Sequence, residues 1–113
     1  MRFMSLWRPA QTSNAGTQQM MVEMGKLIED MAKAGVLVLT GGWDPKSPCT
    51  LLESSKGRVT VTDGPYAEAK EVIAGFAVFD VKSKAEAIEW GQRFLRLAGD
   101  GTSEMRELGG PAN

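Results

Sequence analysis

Strands that are apolar on both faces are the feature that most constrains this fold. Residues 36–40 are apolar except for the last, and nearly every residue of 72–81 is apolar. Residues 2–8 share the pattern in part, up to Pro9, which we expect to end the strand. Runs of this length and composition predict buried strands. Weaker strands are predicted at residues 50–54 and 58–62, joined as a hairpin through a turn at 55–57, and at residues 103–108.

Two segments have the periodicity of amphipathic helices. In residues 17–34 the apolar side chains recur at spacings of three and four, and Gly35 is placed to end the helix. A second helix runs from a capping box, with Ser83 at the N-cap and Glu86 three residues later, to about residue 98. Its predicted inner stripe includes Ile88. Two helices and an antiparallel sheet of four or five strands predict an α+β two-layer sandwich.

The second face of the sheet predicts a partner. Two helices cover one face of such a sheet, and the other face would normally be polar and meet water. Here that face is apolar too, so it must meet another surface. A second copy of the chain, packed sheet against sheet, is the simplest cover and predicts a homodimer through the sheet face. The alternative is a monomer in which the loop of residues 41–49 folds over that face.

Length and charge limit the class of protein. The 113 residues predict one domain, 1–113, with a flexible tail at about 109–113. A net charge of −1 offers no broad positive field, so nucleic acid is not expected as a partner. No apolar run approaches the ~20 residues of a membrane span, and residues 1–8 lack the apolar run of a signal peptide. We therefore expect a cytoplasmic protein without a membrane partner.

The chain has no histidine and one cysteine, Cys49. Ser-His-Asp and Cys-His catalysis and a histidine-ligated metal site are therefore impossible within the chain, and an internal disulfide is excluded. We expect no cofactor and no metal. Acid–base chemistry at neutral pH would need a carboxylate, a lysine, a tyrosine or Cys49 with a shifted pKa.

A motif between the predicted strands carries a family resemblance. The run from Thr62 to Glu71 contains Asp63-Gly64-Pro65-Tyr66 and closely resembles the signature Asp-Gly-Pro-Phe-x-Glu-x-Lys-Glu of DGPF-domain proteins. The similarity continues through Gly75 and residues 87–90 to residues 104–106. By this resemblance the chain is identified as a member of the DGPF branch of the YCII-related family.

The resemblance implies a ferredoxin-like subunit, with two helices on one face of an antiparallel sheet, that pairs as a dimeric α+β barrel. It implies no established activity. Some members of the wider family are proposed to use a His–Asp pair, which this chain cannot supply because it has no histidine. Some DGPF proteins are linked to sigma factors, which favours a regulatory role.

Two places in the sequence are candidate ligand sites. Trp43 and Asp44 lie on a glycine-rich loop after a buried strand and could wall a small-molecule pocket; alternatively they form a hydrophobic lid and a turn. Asp63, at a strand end, could anchor a ligand or act as a base; alternatively its carboxylate accepts backbone N–H bonds in a turn.

The polar segment after Asp63 holds the remaining candidates. Tyr66 could donate a hydrogen bond or simply pack. Lys70 could bind an anion and Glu71 could move a proton, if burial brought their pKa values near 7. The alternative is a solvated or inter-subunit cluster of ion pairs with Glu68.

Three functions remain open from these residues. The first is a small-molecule-binding homodimer whose ligand-binding residues are Trp43, Asp44, Asp63, Tyr66 and Lys70. The second is a cofactor-independent enzyme that acts on a small organic substrate by proton transfer through Asp63, Lys70 or Glu71. The third is a regulatory interaction module with an apolar patch around Trp90 and Leu97.

Overall fold

The computed structural model describes residues 1–13, 17–43, 48–63 and 73–109, without the side chains of residues 11–13. Its elements are, in order, β1 (Arg2–Ser13), α1 (Gln18–Lys33), β2 (Leu37–Gly42), β3 (Thr50–Ser55), β4 (Arg58–Asp63), β5 (Gly75–Asp80), α2 (Lys84–Ala98) and β6 (Gly99–Glu107). Four strands form an antiparallel sheet in the order β2-β5-β1-β6, and β3 and β4 form a separate hairpin. This is the predicted α+β class with ferredoxin-like topology, and the hairpin is inserted between β2 and β5.

Side chains cap the N-termini of both helices, at Ser83 as the sequence predicts and also at Thr17. The Thr17 hydroxyl accepts a hydrogen bond from the Met20 N–H at 3.1 Å at the start of α1, and Gly35, with a φ of 72°, follows its end. At the start of α2 the Ser83 hydroxyl accepts from the Glu86 N–H at 3.1 Å. The Glu86 carboxylate reaches the N–H of Lys82 at 3.5 Å, one residue before the N-cap. Half of the predicted capping box is therefore formed.

The core lies between the helices and one face of the sheet. Phe3 and Phe79 are cross-strand partners whose ring centroids lie 6.2 Å apart, and Leu27 of α1 packs against this cluster. The expectation that Ile88 faces inward is wrong, since Ile88 is exposed. The buried stripe of α2 includes Ala87, and a residue one position on is rotated by about 100° out of that stripe. The buried cluster consists of Phe3, Leu27, Met31, Val36, Phe79, Val81 and Ala87.

The opposite face of the sheet has an apolar centre and a charged border. Met4 lies beside Val78, and Leu6 lies beside Phe76; all four are half-buried. Ion pairs border this centre: Arg2 with Asp80, N–O distance 2.7 Å, and Arg8 with Glu104, 3.1 Å. We call this surface the open face. Residues 44–47 of the loop that was the alternative cover lie outside the described residues.

β1 is longer than the sequence predicts, and Pro9 does not end it. β5 begins at Gly75, opposite Trp7, so beyond that point β1 pairs with β6 alone. A proline is tolerated where a strand has one neighbour. Pro9 lies opposite Gly101, and the register shifts between Pro9 and Ser13. β6 correspondingly begins at Gly99 rather than at residue 103.

The β3–β4 hairpin lies apart from the other elements. Its turn is the pair Lys56 and Gly57, with φ values of 51° and 80°, because Ser55 already pairs with Arg58 in the ladder. The hairpin contacts no other helix or strand in the described part of the chain. The radius of gyration, 15.9 Å, exceeds the ~13 Å of a compact chain of this length, as a projecting hairpin requires. None of the described helices is long and apolar enough to cross a membrane.

Candidate functional site

A cavity of about 530 Å³ lies between the helices and the sheet. This is within the range of sites that hold small molecules. One wall is α1, with three methionines and two aliphatic side chains, and the other is α2, with two aromatic rings. The helix residues that line the cavity are Met20, Met24, Leu27, Ile28, Met31, Trp90, Gly91 and Phe94.

Small residues on the sheet explain why the cavity is open. Phe3 and Phe79, with Leu37 beside them, fill the first row of inward positions. The next row has Thr40, Ala77 and Ser5 side by side, and the row after it has Gly42 and Gly75 next to Trp7. A Cβ on Gly75 would lie 3.0 Å from the Gly41 carbonyl oxygen, so this position has to stay small. The sheet therefore provides a floor of small side chains below α1.

Trp7 and Phe94 form a rigid wall at the other side of the cavity. Their rings meet edge to face, with centroids 5.1 Å apart, an arrangement that aromatic pairs prefer. Trp7 is buried although it lines the cavity. Both rings therefore present fixed apolar surfaces to the cavity, whereas the methionines of α1 are adaptable.

Two polar side chains, Ser5 and Thr40, are among the described lining residues. The Thr40 hydroxyl donates to the Phe76 carbonyl oxygen at 2.9 Å, so its hydrogen is used within the sheet. The Ser5 hydroxyl is hydrogen-bonded to the Ser103 hydroxyl. Two hydroxyls have two hydrogens and this bond uses one, so the pair can donate the other to a further acceptor. No described lining residue carries an ionisable side chain.

Trp43 is the predicted site residue that the structure brings to the cavity. It lines the cavity just after the end of β2, while its ring centroid lies 6.4 Å from that of Phe76, a residue of the open face. Its backbone N–H donates to the Ala74 carbonyl oxygen at 2.9 Å, so the two chain segments meet there. Trp43 is 46% exposed and lies where the edge of the cavity meets the border of the open face.

Asp63 lies elsewhere, at the last position of β4. It pairs across the hairpin with Thr50, whose hydroxyl donates to a carboxylate oxygen of Asp63 at 2.9 Å. Asp63 is exposed and is not among the residues that line the cavity. Of the other predicted ligands and bases, Asp44, Tyr66, Lys70 and Glu71 lie outside the described residues, and their roles stay predictions.

Charged side chains of the described chain form ion pairs away from the cavity. Hydrogen bonds from Arg2 hold the pKa of the Asp80 carboxyl below its usual range. Arg93 does the same for the pKa of Asp30 and so ties α2 to α1. The pKa of Glu104 is lowered by hydrogen bonding to Arg106 first and by Arg8 as well. None of these carboxylates is among the residues that line the cavity.

The described residues contain no group of three or more His, Cys, Asp or Glu that could hold a metal ion. Cys49 is exposed just before β3. Trp90 and Leu97, the expected interaction patch, instead pack against the core, and Trp90 also lines the cavity.

Sequence reasoning missed most of the cavity. The methionines of α1 have the pattern of core residues, and Ser5 was not among the candidates. The available signal was the inward row of small strand residues, Ser5, Gly75 and Ala77, opposite a helix stripe of long side chains. Such a mismatch in side-chain length leaves space between two layers.

Topology and cavity together define the class: a ferredoxin-like α+β protein with an apolar cavity between its two layers. The family model of the YCII-related domain matches residues 1–108. The chain belongs to the YCII-related family, as the motif around Asp63 indicates. An uncharacterised protein of Rhizobium meliloti (strain 1021) is 29% identical over 92 residues, which are 80% of this chain and 74% of that protein.

Proposed function

We propose that this YCII-related protein is a homodimer that binds a small, largely apolar molecule in the cavity between its helices and its sheet. The cavity itself carries the proposal. Protein interiors are packed as densely as organic crystals, with few voids larger than a water molecule. A space of about 530 Å³ in a chain of 113 residues is therefore a feature that a bound molecule would explain.

The lining indicates the chemistry of the ligand. Methionines on one side and the Trp7 and Phe94 rings on the other favour a hydrocarbon or aromatic body. The Ser5–Ser103 hydroxyl pair can donate one hydrogen bond to a carbonyl, carboxyl or ether oxygen. We infer a neutral or weakly polar molecule with one acceptor near Ser5.

The chain continuity of the predicted polar ligands with two cavity residues supports a role for them in binding. Asp44 follows Trp43 directly in the sequence, and residues 64–72 end next to Ile73 and Ala74. Trp43 and Ala74 both line the cavity. Asp44, Tyr66 and Lys70 are therefore proposed to contact the exposed end of the ligand. Asp63 is proposed to affect ligand binding only indirectly, through residues 64–72, which follow it.

The open face supports the proposed dimer. A central apolar cluster of Met4, Leu6 and Val78 surrounded by ion-paired charges has the anatomy of an interface, with an apolar core and a polar rim. Pairing of two such faces produces the dimeric α+β barrel that the family resemblance implies. A cytoplasmic location and a link to sigma factors stay predictions.

Binding of the neutral fluorescent probe N-phenyl-1-naphthylamine tests the proposal. Ala77 lies on the cavity floor between Ser5 and Thr40, so Ala77→Leu fills the space with three more carbon atoms. We expect it to weaken probe binding by about tenfold or more. Ala85→Leu, the same change at an exposed position of α2, is the matched control and should leave the affinity unchanged. Equal affinities for all three proteins would overturn the proposal.

A cofactor-independent enzyme is the second candidate. It is favoured by the sequence, in which Lys70 and Glu71 come a few residues before Ala74, a residue that lines the cavity. Small carbonyl compounds incubated with the protein can be followed by proton NMR. This function requires turnover that Lys70→Met or Glu71→Gln abolishes while the affinity for the probe persists. Turnover undiminished in both variants excludes these residues from the mechanism.

A further inference from the structure

The β3–β4 hairpin has one apolar face that no described helix or strand covers. Leu52 pairs with Val61, and Ser54 pairs with Val59, so these side chains project from the same face. Leu52 and Val59 are each 67% exposed, and Val61 is 64% exposed. Three adjacent aliphatic side chains are thus presented to solvent.

The opposite face of the hairpin is more polar. Glu53 pairs with Thr60, and Ser55 pairs with Arg58. A sheet that alternates in this way normally has its apolar side packed against another surface. A two-stranded hairpin alone in water is at best marginally stable, so this hairpin needs a surface to pack on.

We propose that the hairpin of residues 50–63 is a dimerisation arm, whose face of Leu52, Val59 and Val61 packs on a second copy of this chain. The inference rests on the proposed homodimer. It adds buried interface area that the packing of the two sheet faces alone does not provide. In a twofold dimer each subunit donates one arm and receives one, so the arm contact occurs twice in the dimer.

Interface area favours a second copy as the occupant. From strand spacing and rise, one face of a four-stranded sheet with six-residue strands covers about 400 Å², and one face of the hairpin covers about 200 Å². The sheet face alone is half of a standard interface, which buries about 800 Å² per partner. The donated arm raises the buried area to about 600 Å² per subunit, or about 1,200 Å² in total, which reaches the size range of stable interfaces.

The same chain also has the complementary surface. The open face presents Met4, Leu6 and Val78 at its centre, and Leu39 on β2 is exposed beside Val78. An apolar arm and an apolar sheet face on one subunit are two halves of a reciprocal contact. No other partner has to be invoked to cover either.

Analytical ultracentrifugation of three proteins tests the arm. The arm variant combines Leu52→Thr, Val59→Thr and Val61→Thr, because threonine keeps the strand preference while removing the apolar contact. The control variant combines Glu53→Thr and Arg58→Thr on the opposite face. We expect the dimer dissociation constant of the arm variant to rise about a hundredfold or more, and that of the control to match the wild type.

The possible outcomes separate the arm from the dimer. A wild-type protein that is monomeric at micromolar concentration overturns both. A wild-type dimer with an unchanged dissociation constant in the arm variant overturns the arm alone and leaves the homodimer standing. Probe binding in the cavity is a third readout, which both variants should retain because the hairpin does not line the cavity.

Amide hydrogen exchange on the wild type avoids substitutions altogether. If the arm packs on a partner, amides of residues 50–63 are protected at concentrations where the dimer forms and lose that protection on dilution to monomer. Amides of β1 and β5 remain protected in both states, since their ladder lies within one subunit. Fast exchange of the hairpin amides at both concentrations contradicts the proposal.

Discussion

The indole of Trp7 occupies the space into which a side chain on Gly101 would project. A Cβ at Gly101 would lie 2.3 Å from Cη2 of Trp7 and 2.6 Å from the Arg8 carbonyl oxygen. β6 therefore approaches the ring as closely as a glycine allows. This contact supports the Trp7 ring from one side while Phe94 meets it from another, and so it fixes one wall of the cavity.

Gly101→Ala should destabilise the protein by about 2 kcal/mol, because the added carbon overlaps both the ring and the backbone of β1. Gly25→Ala is the matched control, since Gly25 lies within α1 and nothing lies within 4 Å of its Cβ position. That change should stabilise the protein by about 0.5–1 kcal/mol through helix propensity. Urea unfolding followed by circular dichroism measures both, and equal effects would show that the Trp7 ring does not restrict position 101.

Ser83→Ala should cost about 1 kcal/mol of stability, because the Glu86 N–H at the start of α2 loses its acceptor. Ser83→Asp should retain most of the stability, since a carboxylate also accepts that bond and favours a helix N-terminus. Thermal unfolding of the three proteins measures the difference. A melting temperature for Ser83→Ala equal to that of the wild type would show that the cap does not contribute.

The Arg2–Asp80 pair should make the protein less stable in acid. The pKa of Asp80 is lower in the folded chain than its ordinary value of 3.8, because Arg2 hydrogen-bonds the carboxylate. The contribution of the pair to the free energy of unfolding is therefore present above that ordinary pKa. It is lost as the pH falls through the pKa that Asp80 has in the folded protein. In the double variant Arg2→Gln, Asp80→Asn, the loss of unfolding free energy between about pH 5 and pH 3 should be smaller.

Glu89→Gln is the control for this comparison, because Glu89 is an exposed carboxylate of α2. Its stability profile against pH should follow that of the wild type. Identical acid profiles for the wild type and the double variant would show that the pair does not contribute to stability.

Ser5→Ala should distinguish two probes of similar size. The ketone oxygen of 6-propionyl-2-dimethylaminonaphthalene can accept the hydrogen that the Ser5–Ser103 pair has to spare, whereas N-phenyl-1-naphthylamine offers no such oxygen. Loss of one hydrogen bond of about 1 kcal/mol should weaken binding of the ketone about fivefold. Affinity for the amine should not change, and a parallel loss for both probes would assign Ser5 a merely structural role.

The fold could be predicted largely because its signals are local. The cap at Ser83 and the left-handed Gly35 mark helix ends within a few residues, and the structure has them where the pattern indicates. The errors come from long-range pairing. Whether Pro9 ends a strand depends on how far β5 extends beside it, and that is a property of a residue more than sixty positions away.

The cavity was less predictable because it is defined by a comparison between distant residues. The glycine-rich sequence around Trp43 predicts a ligand-binding residue. Nothing in the sequence around Met20 or Ser5 indicates a binding site. Only the register that places Ser5 beside Ala77, under the stripe of α1, shows that the side chains of the two layers do not meet there.

The small residues Ser5, Ala77 and Gly42, from two rows of the sheet, have an evolutionary consequence. These residues make up the floor of the cavity and are not members of the buried cluster around Phe3 and Phe79. Substitutions that enlarge or shrink such a residue could change which ligand the cavity accepts, while the hydrogen bonds of the sheet and the helices are retained. Proteins that share this fold can thus evolve different ligand specificities through a few substitutions on the sheet.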